Sequence, residues 1–160
     1  MAQVHGETPH QPSGPRRTRV AIIALNHLAC TVLAKTLEAR CYDVVATTTS
    51  GWEGLQLVAK TRPDIVVLGL DLPDRDPFAL CREILYQVPT TKVLIIDTEL
   101  SGVRVFEAIN AGASGYTTYK WDLEKFLENV DALAEGRTLF DTDALEIAKR
   151  WLHLRPPNDS

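Results

Sequence analysis

The sequence predicts an α/β fold, a doubly wound, five-stranded parallel sheet with helices on both faces. Between Arg19 and Ala134, five short apolar runs alternate with five amphipathic stretches, and that alternation is the mark of successive βαβ units. The third run, Ile65 to Leu68, is continuous and partly β-branched, as a strand buried on both faces requires. The connections are short enough for right-handed crossovers, and no internal repeat or low-complexity block interrupts them.

In chain order, Val20–Leu25 reads as a strand and Leu28–Ala39 as a helix with Leu33 and Leu37 inward. Asp43–Ala46 is the second strand. Trp52–Lys60 is a helix with Leu55, Val58 and Ala59 inward, stopped before Pro63. Ile65–Leu70 is the third strand, followed by a helix over Pro77–Tyr86 with Phe78, Cys81 and Leu85 on one side. Val93–Ile96 is the fourth strand. Gly102–Ala111 is a helix with Val105, Ala108 and Ile109 inward, closed by Gly112. Ser114–Thr118 is the fifth strand, and Leu123–Ala134 the fifth helix, ended near Gly136.

The flanks differ in character. Residues 1–18 carry Pro9, Pro12, Pro15, Gly6 and Gly14 among polar residues, too little apolar surface to order a segment, so a disordered arm is expected. Its histidines, His5 and His10, read as solvated. A sixth helix is expected at Thr142–His153, with Asp141, Thr142 and Asp143 as caps and Arg155-Pro156-Pro157 as its stop. Its Leu145, Ile147, Trp151 and Leu154 would dock on the domain or on a second subunit. The expected organisation is therefore an arm over 1–18, a domain over 19–138, and a C-terminal helix and tail over 139–160.

Of the 160 residues, 45% are apolar and 24% charged, which is ordinary for one soluble domain with a proper core. A net charge of −4 offers no basic field for nucleic-acid binding. The basic cluster Arg16-Arg17-Thr18-Arg19 reads as a solvated flank, with a small anion-binding arm as its alternative. Cys30, Cys41 and Cys81 are odd in number and widely spaced, so reduced, buried thiols are expected rather than a disulfide framework or a zinc site. No apolar run approaches a membrane span of ~20 residues, and residues 1–18 hold no h-region, so a cytoplasmic location is expected. No GxGxxG follows the first strand, and no GxSxG, P-loop or D-x-H-x-x-G signature is present.

A set of local motifs points further. Arg19-Val20 opens the first strand, Pro63-Asp64 precedes the third, and Leu72-Pro73 follows it. Pro89-Thr90-Thr91-Lys92-Val93 leads into the fourth strand, Ala111-Gly112-Ala113-Ser114-Gly115-Tyr116 into the fifth, and Ala134-Glu135-Gly136 closes the last helix. In this order and at these spacings, residues 19–140 resemble the receiver domain of bacterial response regulators, the CheY-like fold. The likeness is nearest to receivers that precede a LuxR-type helix-turn-helix (the NarL/FixJ regulators). The resemblance implies a flavodoxin-type sheet with strand order 2-1-3-4-5.

It also implies a chemistry that these residues do not supply. In that family two acids after the first strand and an acceptor aspartate at the end of the third hold Mg²⁺, which needs several hard oxygen ligands and neutralises phosphoryl charge during transfer. A Ser or Thr after the fourth strand and a Lys after the fifth bind the phosphoryl oxygens. The corresponding positions here are Leu25 and Asn26, Gly69, Asp97 and Tyr119. Nucleophile, metal ligands and phosphoryl clamp are all replaced, and Asp97 adds a repulsive charge where a phosphoryl group would dock. The residues that could rescue the site are Thr98 and Lys120 by a one-residue shift, Asp71 as a substitute acceptor, and Asp97 paired with Lys120. The plainer reading of Asp97 is a cap that hydrogen-bonds backbone amides of the following loop.

Tyr116 matches the family's switch aromatic, although its usual partner is replaced by Asp97; a fixed surface or core aromatic is the plainer role. His27, in the first β–α turn, reads as a helix-start residue. Val103, Phe106, Tyr116, Tyr119 and Trp121 could form an apolar patch on the face that receivers use for docking and dimerisation. The expected function is thus a phosphorylation-independent pseudo-receiver with no enzyme activity, no cofactor and no metal. It would act in signal transduction through a protein partner of a signalling or transcriptional pathway or as a homodimer, with no direct nucleic-acid binding and no membrane contact. The alternatives are a small-ligand sensor using the less charged crevice and a conventional phospho-accepting regulator using Asp71.

Overall fold

A computed structural model describes residues 3–4, 16–99, 101–118, 122–140, 146 and 150. The elements run β1 (Gln3–Val4), β2 (Arg19–Ile23), α1 (His27–Ala39), β3 (Asp43–Thr48), α2 (Gly51–Thr61), β4 (Ile65–Gly69), α3 (Pro77–Gln87), β5 (Lys92–Asp97), α4 (Gly102–Asn110), β6 (Gly115–Thr118), α5 (Leu123–Ala134) and β7 (Leu139–Phe140). All ten elements read between Arg19 and Ala134 are present, each within two residues of its expected ends.

The sheet order is β1-β3-β2-β4-β5-β6-β7. Its five central strands are the expected ones, all parallel, in the expected order 2-1-3-4-5. The outer two were not foreseen. Gln3 and Val4 pair antiparallel with Thr47 and Ala46, inside the segment read as a disordered arm. Leu139 and Phe140 pair parallel with Gly115 and Tyr116, where the C-terminal segment was read as helix and tail. The proline and glycine content of the arm hid a two-residue pairing that only tertiary contact creates. Glu146 and Arg150 have helical backbone; the rest of the expected Thr142–His153 helix lies outside the described residues, as does most of the arm.

Local chemistry sets the helix starts. Asn26, Ser50, Asp76 and Asp122 each turn a side-chain oxygen back onto a backbone N–H of the first turn, at 2.8 to 3.2 Å. Pro77 occupies the first turn of α3, where its missing N–H costs nothing. Gly112, at φ +90°, closes α4 in a left-handed conformation natural to glycine.

The two faces of the sheet carry separate apolar layers, as strands with period-two alternation require. Val20, Ile22, Val44, Val67, Leu94 and Ile96 pack against α1 and α5. Ala21, Ile23, Val66, Leu68, Val93 and Ile95 pack against α2, α3 and α4. Contact on that second face is close: a Cβ on Gly54 would lie 2.6 Å from Cδ1 of Ile23.

Three expectations about burial are corrected. Ile109 is exposed, because the inner stripe of α4 runs through Val105, Ala108 and Ala111 and leaves Ile109 about 100° from its centre. On α3, Leu80 and Ile84 are fully buried while Leu85 is only partly so. Cys41 is exposed on a left-handed turn at φ 66°, and only Cys30 and Cys81 are buried; burial pushes the Cys81 thiol up to about 12. Among the described residues, no helix is long and apolar enough to cross a membrane.

Candidate functional site

The chain order of the sheet reverses at β2, between β3 and β4, and this is where open α/β sheets bind ligands, beyond the C-terminal strand ends. Gly69 and Asp97 end the adjacent strands β4 and β5, and Asp97 is in register with Thr118 of β6. Gly69 brings no side chain to this edge.

Asp97 dominates the site and is 0% exposed. It follows Val93 and Ile95 onto the α4 side of the sheet. Its Oδ1 accepts hydrogen bonds from the Thr98 backbone N–H at 2.7 Å and from Arg104 Nη1 at 2.7 Å. Its Oδ2 accepts from the Tyr116 hydroxyl, which also has the Glu99 carbonyl 3.2 Å away. A buried carboxylate is tolerable only with a counter-charge and filled lone pairs, and here both conditions are met. Arg104 stands in the first turn of α4 and is partly exposed. Asp97, and more weakly Asp71, raise its guanidinium above the usual value. Tyr116 is 1% exposed, and burial followed by the adjacent Asp97 charge pushes its phenol well above the ordinary range.

This arrangement revises several expectations. The plainer reading of Asp97 holds in part, since it does bond a backbone amide, but its main partners are Arg104 and Tyr116. Lys120, the expected partner, lies outside the described residues, as does Tyr119. Thr98 does not turn inward; its side chain is exposed and only its backbone N–H meets Asp97. Tyr116 is a core residue and is removed from the expected surface patch. Of that patch, Val103 is 41% exposed and Phe106 half-buried, while Tyr119 and Trp121 lie outside the described residues. Arg104 was the residue the sequence reading missed. The available signal was a carboxylate at a strand end that had to find a cation nearby.

On the other side of the crevice, Leu25 is 46% exposed and Asn26 Oδ1 accepts from Ala29 N at 2.8 Å, which commits that oxygen to capping α1. His27 opens the helix as expected. Leu28 is 72% exposed on its outer face. Past Gly69, Asp71 is half-buried. Farther on, Asp74 receives Ser50 Oγ at 2.6 Å, Gly51 N at 2.9 Å and Trp52 N at 3.2 Å, so it seals the start of α2. Partial burial raises the Asp74 carboxyl, but these hydrogen bonds outweigh it and the net shift is downward. Arg75 lies 4.5 Å over the Trp52 ring and forks onto both Glu83 oxygens at 2.9 and 3.2 Å. The β4–α3 loop is thereby tied to α2.

Magnesium does not fit these residues. Leu25 and Gly69 offer no ligand oxygen from a side chain, Asn26 is engaged, and both Asp97 oxygens are filled. Among the described residues, no three His, Cys, Asp or Glu side chains are grouped so as to hold a metal ion.

A parallel 2-1-3-4-5 sheet with five flanking helices and a crevice at its reversal point defines the flavodoxin-like, CheY-like class of domain. The model of the response regulator receiver domain matches residues 20–131, and the chain belongs to that family, a component of two-component signalling. It is 35% identical over 102 residues to the DNA-binding transcriptional activator DevR/DosR of Mycobacterium tuberculosis, covering 64% of this chain and 47% of that protein. It is 31% identical over 99 residues to a protein-glutamate methylesterase/protein-glutamine glutaminase of Geobacter sulfurreducens, covering 61% of this chain and 26% of that protein. Among solved structures, a LuxR-family two-component response regulator from Aurantimonas sp. SI85-9A1 superposes with a TM-score of 0.78 at 27% identity, covering 86% of this chain and 99% of that one. The chain thus spans about half or less of these curated relatives, and the domain is shared by regulators and enzymes alike.

Proposed function

We propose that this chain is a pseudo-receiver, a receiver domain that signals through protein–protein contact without accepting a phosphoryl group. The observation that carries this reading is the saturated state of Asp97. Its carboxylate, at the position where the family resemblance implies phosphoryl binding, already holds Arg104, Tyr116 and the Thr98 amide. An incoming phosphoryl group would meet a buried negative charge whose cation is spoken for. Gly69 supplies no nucleophile, and the acids that would hold Mg²⁺ are replaced by Leu25 and Asn26.

Under this reading Tyr116 is fixed inward, so the surface built on α4 and β6 has one arrangement, independent of phosphate. Val103 and Phe106 are the part of that surface within the described residues, and the partner is a protein of a signalling or transcriptional pathway or a second copy. The chain itself has no enzymatic activity and does not bind nucleic acid directly.

The test has two arms. Incubation with acetyl phosphate and Mg²⁺, followed by intact mass, is expected to leave the mass unchanged; a stoichiometric phosphoryl adduct, on Asp71 or elsewhere, overturns the reading. Affinity capture with wild type and Val103→Asp is expected to lose a specific partner in the variant. Equal recovery from both removes this surface from the proposal.

A further inference from the structure

At the opposite, N-terminal edge of the sheet, a cavity of about 330 Å³ opens beside the first residues of β4 and β5. We propose that it binds a small oxyanion, a phosphate or carboxylate group. Three cationic side chains, Arg16, Arg17 and Lys92, line it against one carboxylate, Asp64. That leaves two net positive charges in a chain whose overall charge is −4. The carboxylate is already occupied: Asp64 Oδ2 accepts from Arg19 N at 2.9 Å, and Oδ1 lies 3.4 Å from Arg16 Nη2.

Lys92 Nζ donates to the Leu133 carbonyl at 3.2 Å, which holds the ammonium at the cavity wall and offsets the negative end of α5. A guanidinium fork beside a fixed ammonium suits an oxyanion, with the arginines supplying paired N–H donors and the lysine a point charge. Ile65 and Leu133 are buried beneath the cavity and bring almost no surface to it, so its lining is chiefly polar and suits the charged head of a ligand. Arg16, Arg17 and Thr18 of the basic cluster, which had read as a solvated flank with a small anion-binding arm as its alternative, line this site. β4 and β5 each run from the cavity to the crevice at Gly69 and Asp97, a separation of about 15 Å at ~3.3 Å per residue. The proposal therefore stands apart from the phosphotransfer question.

Amide NMR of the full chain, titrated at constant ionic strength with inorganic phosphate, phenyl phosphate and benzoate, tests it. Saturable shifts at Thr18, Ile65, Lys92 and Ala134 are expected with all three, the phosphates binding more tightly than the singly charged benzoate. Arg17→Glu and Lys92→Met should each weaken phenyl phosphate about tenfold, the loss of one charge-assisted contact, while Arg82→Glu on the exposed side of α3 should not. Arg17 is exposed, so R17E keeps the fold and carries the test if K92M does not. Shifts that never saturate, saturable shifts confined to Gly69 and Asp97, or equal weakening by R82E would each overturn the proposal.

Discussion

The Tyr116 hydroxyl donates to the Asp97 carboxylate across adjacent strands, and both groups are shut away from solvent. Hydrogen bonds to a buried charge contribute about 1.5–3 kcal/mol. Tyr116→Phe is therefore expected to lower stability by roughly 2 kcal/mol, or about 4–8 °C in Tm for a chain of this size. Thermal unfolding followed by circular dichroism measures it, and an unchanged midpoint would show that Arg104 and the Thr98 amide satisfy the carboxylate without the hydroxyl.

Removing the cation should cost more. Arg104→Met leaves Asp97 buried with two dipolar donors and no counter-charge. Loss of one partner from a fully buried pair costs about 3–5 kcal/mol; because Arg104 is 42% exposed, the expected loss lies near the lower end. The double variant Asp97→Asn/Arg104→Met should recover part of it, since the uncompensated charge goes with the arginine. A double variant no more stable than R104M would dissociate the two residues energetically.

Asp74 ties the β4–α3 loop to the start of α2 and should show itself in acid. Its folded-state carboxyl is lowered from 3.8, so its contribution is present above that value and lost as pH falls through the lower folded value. Asp74→Ala is expected to cost about 1 kcal/mol at neutral pH, typical of a lost helix cap, with faster amide exchange at Gly51 and Trp52. The gap between wild type and variant should close in acid. A gap that persists at the lowest pH would assign the effect to packing.

At Gly54, packing and helix propensity pull in opposite directions. Alanine gains about 1 kcal/mol in a helix interior, but its methyl would overlap Ile23 at 2.6 Å. Overpacking costs about 1–3 kcal/mol, so Gly54→Ala is expected to be net destabilising in urea unfolding. Ile23→Val/Gly54→Ala should regain stability relative to G54A if the overlap is the cause.

Restoring the aspartate alone should not restore phosphotransfer. Gly69→Asp returns a nucleophile, but Leu25 and Asn26 still provide no carboxylate for Mg²⁺. Intact mass after acetyl phosphate treatment is expected to show no stoichiometric adduct, and a full adduct would mean that the metal ligands are dispensable here.

Much of this architecture was legible in the chain because its signals were local and periodic. Ile65 to Leu68 reads as a buried strand from four residues, and Asn26, Ser50, Asp76 and Asp122 mark helix starts by their own chemistry. The misses share a different character. Arg104 meets Asp97 only once the loop between β5 and α4 has chosen its path, and no spacing rule sets that path. Tyr116 had been left open as a surface or a core aromatic and also counted in a surface patch; a buried acceptor two strand positions from its own register holds it inside. Ile109 failed by a quarter-turn of helix, because one apolar residue at the margin of a stripe looks inward or outward depending on where the stripe is centred. Gln3–Val4 and Leu139–Phe140 lack any strand signal; they are ordered by the neighbour they pair with.

Those two short outer strands have a practical consequence for handling the protein. β1 masks Ala46 and Thr47 on one margin of the sheet, and β7 masks Gly115 and Tyr116 on the other. A shortened version starting at Arg16 would bare backbone donors and acceptors along β3, and one stopping at Arg137 would bare them along β6. Such uncovered margins pair with whatever strand is near. Both trimmed forms should therefore precipitate or self-associate at concentrations the intact chain tolerates, and fusions or tags are best joined outside residues 3 and 140.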